Sequence, residues 1–459
     1  MQPLMSLCRC QPVVDAARDG ERGDDAVDRG VARLFTAVVH PLSSHDLGPL
    51  PPQAHAPVPP RSSPPPSSDK PGVLLPSDTD LAHCILEAGL GTIVTVPCSV
   101  TAGLHSQLTA FDRNGRLELL ASTHEANLVG LAAGIWFGTG RPALIHLQNS
   151  GLPNIGDGIV SFAHPWIFAI PMAALVTFRG ASAADESEPH LAIGDRTDGL
   201  VSLIFGQDTL IGGDRYGLQG VIDPFRRVLA HAAAGGMAVL KLSPYGFRSS
   251  AVEPTLPPAA PQGSPVALME AMRRRQEQGW PASLADPATV LDRDGAIAAI
   301  RAAHPGAAVL FSNGYTSRAA QATGDRPSDF YNVGYMGGTL AIGWALARSC
   351  PGLEVVVVDG DQNAQMSAMK DHLLLEYPAN LHWYILNNGM GASVGGPTSL
   401  PLSPLYDAMA RVIATQPDGG PFPHPRVGLP GHEGPSASLA PLARRFREWV
   451  AAQPGAPAG

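Results

Sequence analysis

Short apolar runs without polar alternation recur in two stretches of the chain. Thr92–Pro97, Leu117–Ser122, Ala143–Leu147 and Ala173–Phe178 lie in the first stretch. Ala307–Phe311, Val355–Val358 and a run around Ile385–Leu386 lie in the second. Unbroken runs of this kind suit parallel strands buried on both faces. Between them the period changes: Leu128, Leu131, Ala132 and Ile135 recur at i, i+3, i+4 and i+7, which predicts a helix with one apolar face. The alternation in both stretches predicts an α/β fold of two tandem domains, each a central, mostly parallel sheet flanked by helices.

The pattern stops at two proline-rich stretches. Residues 41–76 carry 12 prolines in 36 positions. A chain so rich in proline donates few backbone hydrogen bonds and buries little, so 1–75 is expected to be a disordered extension. Pro254, Pro257, Pro258, Pro261 and Pro265 mark a linker within 251–284. The two domains are then 78–250 and 285–455.

Composition narrows the function classes. The 459 residues are 44% hydrophobic, enough for large cores, and a net charge of −9 leaves no electrostatic footprint for nucleic acid. The best apolar run, Trp166 to Val176, has 11 residues and contains Pro171, short of the roughly 20 a membrane span needs. The five cysteines, at 8, 10, 84, 98 and 350, form no disulfide framework and no zinc spacing, which fits a reducing, cytoplasmic compartment. The start, MQPLMSLCRCQPVV, lacks the basic and apolar regions of a secretory signal.

The most informative segment is Val355-Val356-Val357-Val358-Asp359-Gly360-Asp361, followed 27 residues later by Asn388. A buried strand delivers Gly360 and Asp361 to its carboxyl end, where ligands of parallel sheets bind. Gly360 permits close approach of a phosphate, and a helix from about Asn363 would aim free N–H groups at it. A diphosphate brings Mg²⁺, which takes oxygens in octahedral geometry; Asp361, Asn388 and the carbonyl of Met390 are the expected protein ligands. The segment resembles the thiamine diphosphate motif, with Gln362 in place of its last glycine, a side chain near the phosphate entry. Gly334-Tyr335-Met336-Gly337-Gly338 precedes it, and Met336, 25 residues before Asp361, matches the apolar residue under the bend of that cofactor.

In the other domain His124-Glu125 follows a strand and opens a helix. Glu125 either complements the helix dipole or bonds N1′ of an aminopyrimidine. His124 is either a helix-cap histidine or a proton donor to substrate. Arg179 ends a strand, where its guanidinium could grip a phosphonate or carboxylate, or make a surface salt bridge. Small residues Ala132-Ala133-Gly134 leave room for a ring or a second helix. His164 and His190 are open candidates for the substrate side.

Taken together, Val96-Pro97-Cys98-Ser99, Thr123-His124-Glu125, Leu131-Ala132-Ala133-Gly134, Gln148-Asn149-Ser150-Gly151, Phe178-Arg179-Gly180, Glu188-Pro189-His190, Asn313-Gly314-Tyr315-Thr316-Ser317-Arg318 and Phe330-Tyr331-Asn332-Val333-Gly334 resemble, in order, the phosphonopyruvate decarboxylases and their sulfopyruvate relatives. The resemblance covers about 80–400. It implies two thiamine diphosphate-binding domains, pyrimidine-binding in 78–250 and diphosphate-binding in 285–455. It implies thiamine diphosphate and Mg²⁺ as cofactors, held by Gly314, Tyr315, Thr316, Met336, Gly360, Asp361, Gln362, Asn363 and Asn388, with Glu125 and His124 catalytic. Asn149, Ser150, Arg179 and His190 would face the substrate, a small anionic 2-oxo acid. A homodimer or dimer of dimers would form its sites between subunits, Glu125 of one chain serving the cofactor of another. The chain departs from the family at 155–162, 181–187, 391–397 and after about 400, near the expected substrate side. The lost polar pattern at Gly391–Pro397 leaves one rival reading, carbon–carbon bond formation on the same cofactor, and Gln362 leaves a second, a degenerate homologue acting as a structural or regulatory subunit.

Overall fold

The computed structural model describes residues 75–180, 187–206, 210–212, 218–242, 247–248, 269–270, 272–274, 284, 290–394, 396–418, 423–428 and 438–457. The extension 1–75 and the linker 251–284 therefore lie almost entirely outside the described residues.

Two sheets form, both with parallel pairing throughout. The first has six strands: β1 (Thr92–Thr95), β2 (Glu118–Ala121), β3 (Leu144–Gln148), β4 (Met172–Thr177), β5 (Leu210–Gly212) and β6 (Met237–Leu242), in the order β2-β1-β3-β4-β6-β5. The second has five: β7 (Ala308–Phe311), β8 (Asp329–Tyr331), β9 (Val355–Gly360), β10 (Leu381–Asn387) and β11 (Arg411–Ala414), in the order β11-β10-β9-β7-β8. The second order reverses direction once, between β7 and β9; the first reverses between β1 and β3 and again at its β6-β5 edge. Such switch points open a crevice at the carboxyl ends of the strands. The apolar runs read from the sequence fall on β1 to β4, β7, β9 and β10, and β3, β4, β7 and β9 are buried along nearly their whole lengths.

Seven helices position the core and the site: α1 (Ala126–Thr139), α2 (Leu152–Phe162), α3 (Arg293–Ala303), α4 (Tyr315–Ala322), α5 (Thr339–Ser349), α6 (Asp361–Met366) and α7 (Ala440–Ala451). The periodicity predicts one apolar face on α1, yet α1 is buried almost all round, Asn127 to Gly138 with Trp136 excepted. A helix with apolar residues on every side belongs in an interior, and α1 lies between the two sheets against α5. Its close approach comes from Gly130, Gly134 and Gly138, one per turn. A Cβ at Gly134 would stand 2.3 Å from the Ile342 carbonyl oxygen, and one at Gly130 2.6 Å from Ala341 Cβ. Of the two partners expected for the small residues, a ring or a helix, the helix is the one present.

The consequence is one hydrophobic core shared by both sheets, from Val94 and Leu128 to Val357 and Phe446. Phe137 of α1, Phe330 of β8 and Phe446 of α7 meet in it, Phe137 and Phe446 edge to face at 4.9 Å between ring centres. A second cluster covers the far face of the first sheet. Among the described residues no helix is long and apolar enough to cross a membrane.

Candidate functional site

A cavity of about 160 Å³ opens at the switch point of the second sheet. Asn313, Gly314, Tyr315 and Thr316 reach it from the end of β7 and the start of α4; Gly360, Asp361, Gln362 and Asn363 reach it from the end of β9 and the start of α6. Asn388 and Met390 follow β10, and Met336 closes one side. Apart from Glu125, every residue expected to hold the cofactor or metal lines this one cavity. Parallel pairing of β9 and β10, with Leu386 opposite Gly360, is what brings Asp361 and Asn388 to one place.

Local geometry explains these positions. Gly314 caps α4 at φ 94°, ψ −140°, a region that disfavours any side chain, so the turn out of β7 requires glycine. The α6 helix starts at Asp361, two residues before the start expected at about Asn363, because Gly360 serves as its extended N-cap. Asp361 is buried. Its Oδ1 accepts the Gln362 N–H at 2.8 Å, whereas Oδ2 is buried with no hydrogen-bond partner among the described residues. A buried carboxylate oxygen left without a donor is costly unless a cation takes it. Asn388 Oδ1 accepts the Met390 N–H at 3.1 Å and keeps a lone pair; its Nδ2 donates to Asp418 at 3.1 Å. The donor set is hard oxygen, suited to Mg²⁺. The volume is below the several hundred Å³ usual for a drug-sized ligand, so it accommodates a diphosphate end and leaves the rest of a large cofactor for another surface to enclose.

Gln362 lines the cavity together with Gly391. Its side-chain amide lies over Gly391, so close that a Cβ at Gly391 would stand 2.5 Å from Gln362 Oε1. The residue that replaces the motif's glycine is thus accommodated by a glycine on the next loop. Below the cavity, Asp359 is fully buried and accepts Asn363 Nδ2 at 2.6 Å and Trp383 Nε1 at 2.8 Å. Burial pushes its carboxyl up to about 6. Asn363 Oδ1 in turn accepts the Gly337 N–H at 2.9 Å, which ties α6 to the Met336 segment.

Sequence reasoning missed Arg293. It lines the cavity from the first turn of α3, bonds Thr316 Oγ1 at 3.2 Å and pairs with Asp418, the group that also receives Asn388. A buried arginine in the first turn opposes the helix dipole and needs a nearby anion, which Asp418 supplies. Ser393, Ala392 and Val394 also reach the cavity.

Glu125 is not among the walls of this cavity in its own chain. It stands at the N-cap of α1 rather than in its first turn, half-buried, and makes no capping bond. Its carboxylate packs on Gly151 and accepts Asn154 Nδ2 at 3.0 Å. Three residues further along α2, Asp157 accepts the Met336 N–H at 3.2 Å, and Tyr335 donates its hydroxyl to the Ala126 carbonyl. His124 is exposed, and its Nδ1 accepts the Ala126 N–H at 3.1 Å at the start of α1.

The substrate-side candidates gather apart from this cavity, at the carboxyl end of the first sheet. Asn149 is fully buried and spends its amide inside the chain, accepting Arg179 N–H and donating to the Arg179 carbonyl and Thr197 Oγ1. That corrects the expectation of a free substrate contact: Asn149 fixes the backbone of Arg179. The Arg179 guanidinium reaches Ser99 Oγ at 3.0 Å, Ser150 is exposed and receives Gln148 Nε2, and His190 Nδ1 meets Ser187 Oγ at 3.1 Å. His164 Nδ1 accepts the Trp166 N–H at 3.2 Å.

Among known proteins, this chain is 30% identical over 407 residues to a phosphonopyruvate decarboxylase of Streptomyces hygroscopicus, covering 82% of this chain and 94% of the relative. A phosphonopyruvate decarboxylase of Streptomyces viridochromogenes is 28% identical over 411 residues, with 82% and 95% covered. A solved protein from Mycobacterium smegmatis, provisionally described as a thiamin diphosphate-dependent enzyme, aligns at TM-score 0.47 and 14% identity over 75% of this chain and 100% of its own. No family model matches. With that identity sustained along nearly the whole length of its relative, the chain belongs to the phosphonopyruvate decarboxylase family.

Proposed function

We propose that this protein is a thiamine diphosphate- and Mg²⁺-dependent decarboxylase that converts 3-phosphonopyruvate to phosphonoacetaldehyde and CO₂. The observation that carries this reading is Asp361 Oδ2, a buried carboxylate oxygen without a partner among the described residues, in a cavity framed by two helix starts. The substrate follows from the two relatives, both phosphonopyruvate decarboxylases. Asp361, Asn388 Oδ1 and the Met390 carbonyl would hold Mg²⁺. The backbone at Gly314–Thr316 and Gly360–Asn363 would receive the diphosphate, with Met336 under the rings and Arg293 as a further cation on the cavity wall. In this reading 285–455 is the diphosphate-binding domain and 78–250 the pyrimidine-binding domain.

Thiamine diphosphate, when bound, supplies the electron sink into which the carboxylate carbon's bonding pair departs as CO₂ leaves. The chain's own work is placement and proton holding. Glu125 holds a proton at N1′ of the aminopyrimidine, and the apolar surroundings of α1 strengthen that bond. Arg179, kept in place by Asn149, meets the anionic end of the substrate, with Ser150, His124 and His190 beside it. Glu125 serves a cavity of a second copy, in a homodimer or dimer of dimers. Two facts support this: Glu125 lies off its own cavity, and Met336, Met366 and Val394 leave apolar surface exposed at the cavity's rim, 54%, 56% and 67% accessible. Cys84, Cys98 and Cys350 are free thiols, in keeping with a cytoplasmic location.

One observation favours a second reading. Gly391 and Ala392 line the cavity where the family carries a polar His–Asp pair, and that opening suits capture of a second carbonyl compound, hence carbon–carbon bond formation. The degenerate-homologue reading, motivated by Gln362, predicts no CO₂ release from any 2-oxo acid and no bound cofactor. The test is incubation with 3-phosphonopyruvate, sulfopyruvate and pyruvate, with and without thiamine diphosphate and Mg²⁺, following CO₂ and aldehyde. Cofactor-dependent release of both from 3-phosphonopyruvate is expected. CO₂ without free aldehyde when an acceptor aldehyde is present would move the assignment to carboligation.

A further inference from the structure

We propose that His304, Glu354 and His382 form a transition-metal site, suited to Zn²⁺, at the amino-terminal rim of the second sheet. Glu354 immediately precedes β9, His382 is the second residue of β10, and His304 is the C-cap of α3. Parallel pairing of Leu381 with Val355 sets Glu354 and His382 side by side. The six residues of β9 separate this cluster from Asp361, about 20 Å at the rise of a strand, so it is independent of the cofactor cavity.

The donor atoms already converge. His304 Nδ1 and His382 Nε2 both approach Glu354 Oε1, at 2.8 and 3.1 Å, and the three donor atoms lie within 4.8 Å of one another. The ring centres of the two imidazoles are 4.9 Å apart. With Zn–N near 2.0–2.1 Å, two imidazoles on one tetrahedral zinc have ring centres about 5 Å apart and donor atoms about 3.3 Å apart. The ring centres therefore stand near the spacing a metal would set, and the carboxylate has to draw back by a few tenths of an ångström, roughly, from its present bonds. Two nitrogens and one carboxylate oxygen favour Zn²⁺ over the Mg²⁺ of the cavity.

The surroundings match a ligand site as well. His304 is buried, and its other nitrogen, Nε2, lies 2.8 Å from Tyr384 Oη, which accepts Arg411 Nη1 at 2.7 Å. With Nδ1 on a metal, the ring proton sits on Nε2 and is donated to Tyr384; a fixed partner on the second nitrogen is the usual support of a metal-bound histidine. Glu354 remains 40% and His382 25% accessible, which leaves an open side for water as the fourth ligand.

The experiment uses the tag-free full chain, stripped with EDTA and then saturated with Mg²⁺ and thiamine diphosphate so that the cavity is filled. Co²⁺ is titrated in and visible absorption recorded. One equivalent should bind with the strong d–d bands of a four-coordinate site, displaced by Zn²⁺. His382→Gln and Glu354→Gln should each abolish the bands and weaken binding by about 100-fold, while Asp361→Ala leaves them intact. Both changes are on partly exposed side chains and keep the sheet's backbone pairing, and near-UV circular dichroism verifies the fold. Absence of four-coordinate bands in wild type, or bands of equal affinity in folded His382→Gln, would overturn the site and leave a plain hydrogen-bonded triad; a thiolate signal from Cys8 and Cys10 would belong to the latter outcome.

Discussion

The two sheets have the same kind of switch point, and they use it in opposite ways. In the second, the crevice between β7 and β9 is open, lined by glycine turns, and holds the unpartnered Asp361 Oδ2. In the first, the crevice between β1 and β3 is plugged. His146 of β3 is fully buried there, its Nδ1 3.0 Å from Thr95 Oγ1 and its Nε2 3.1 and 3.4 Å from Thr101 and Thr177. A crevice whose polar atoms satisfy one another has nothing left to offer a ligand, whereas one with a stranded anion does. Topology alone provides the place; the residual hydrogen-bonding capacity of the side chains distinguishes the two, and it is on this that the proposed diphosphate site in the second sheet rests.

The sharpest way to break this contrast is Asp361→Ala. Removing the one anionic metal ligand should weaken thiamine diphosphate binding on the order of 10³-fold in Mg²⁺, read by equilibrium dialysis. Retention equal to wild type would return the open crevice to the status of the plugged one. Asn388→Ala should act in the same direction and less, being neutral.

Glu125→Gln comes next. In this reading the first sheet contributes no diphosphate cavity of its own; it supplies the substrate side and a carboxyl aimed at another copy's cofactor. Binding should persist while turnover falls by about 10²-fold or more. Exchange of the cofactor's C2 hydrogen for deuterium isolates the step without any substrate. Wild-type exchange in the variant would remove Glu125 from the chemistry and leave it a helix-end charge.

A third test compares two helical glycines. Gly134→Val drives a side chain into the Ile342 carbonyl and Ala345, and should cost about 3 kcal/mol by urea unfolding. Gly199, in the helix Glu188–Phe205, has nothing within 4 Å of a would-be Cβ, and Gly199→Ala should gain about 0.5–1 kcal/mol. Equal effects would mean that the seam between α1 and α5 is not a tight contact.

How legible was this arrangement before the fold was known? The runs that became β3, β4, β7 and β9 were plain, because strands covered on both faces admit no polar alternation. The walls of the Asp361 cavity were legible too, since backbone turns confine them to a few residues around Gly314, Gly360 and Asn388. Arg293 and Asp418 were not, because their pairing depends on where α3 and the stretch after β11 come together, and no local pattern encodes that. The all-round burial of α1 was missed for a related reason: a period reports one apolar face, and the second layer is supplied by residues 200 positions away, roughly, at α5. Asn149 was misjudged because a polar side chain beside a strand end looks the same whether it meets a ligand or its own backbone.

The smallest effect concerns pH, where the two crevices have opposite signs. Burial, with His105 a lesser cause, pushes His146 down to about 4. The unfolded chain then binds the extra proton between about 4 and about 6.5, so this group makes stability rise with pH across that window and contribute fully above it. Asp359, raised by burial to about 6 from an ordinary 3.8, holds its proton in the folded state, and its share of stability falls as pH rises from about 4 to about 6. The slopes oppose each other, each at most about 1.4 kcal/mol per pH unit. Urea midpoints at intervals across that range should therefore climb more steeply in Asp359→Asn than in wild type, and turn downward in His146→Gln. Parallel profiles for all three proteins would show that neither group titrates in the window.

The glycine ridge on α1 carries a consequence for the molecule's modularity. Two sheets of similar size in tandem invite the picture of interchangeable cassettes, joined by a linker and free to be exchanged among relatives. The seam argues otherwise. Gly130, Gly134 and Gly138 fit Ala341, the Ile342 carbonyl and Ser349 at separations with no slack. Each half is thus a mould cast from the other, and a chimaera joined between the sheets would inherit a mismatched seam unless α1 and α5 travelled together. For laboratory recombination the useful crossover points lie at the outer edges of the sheets, and the helix pair at the centre passes on as a single unit of inheritance.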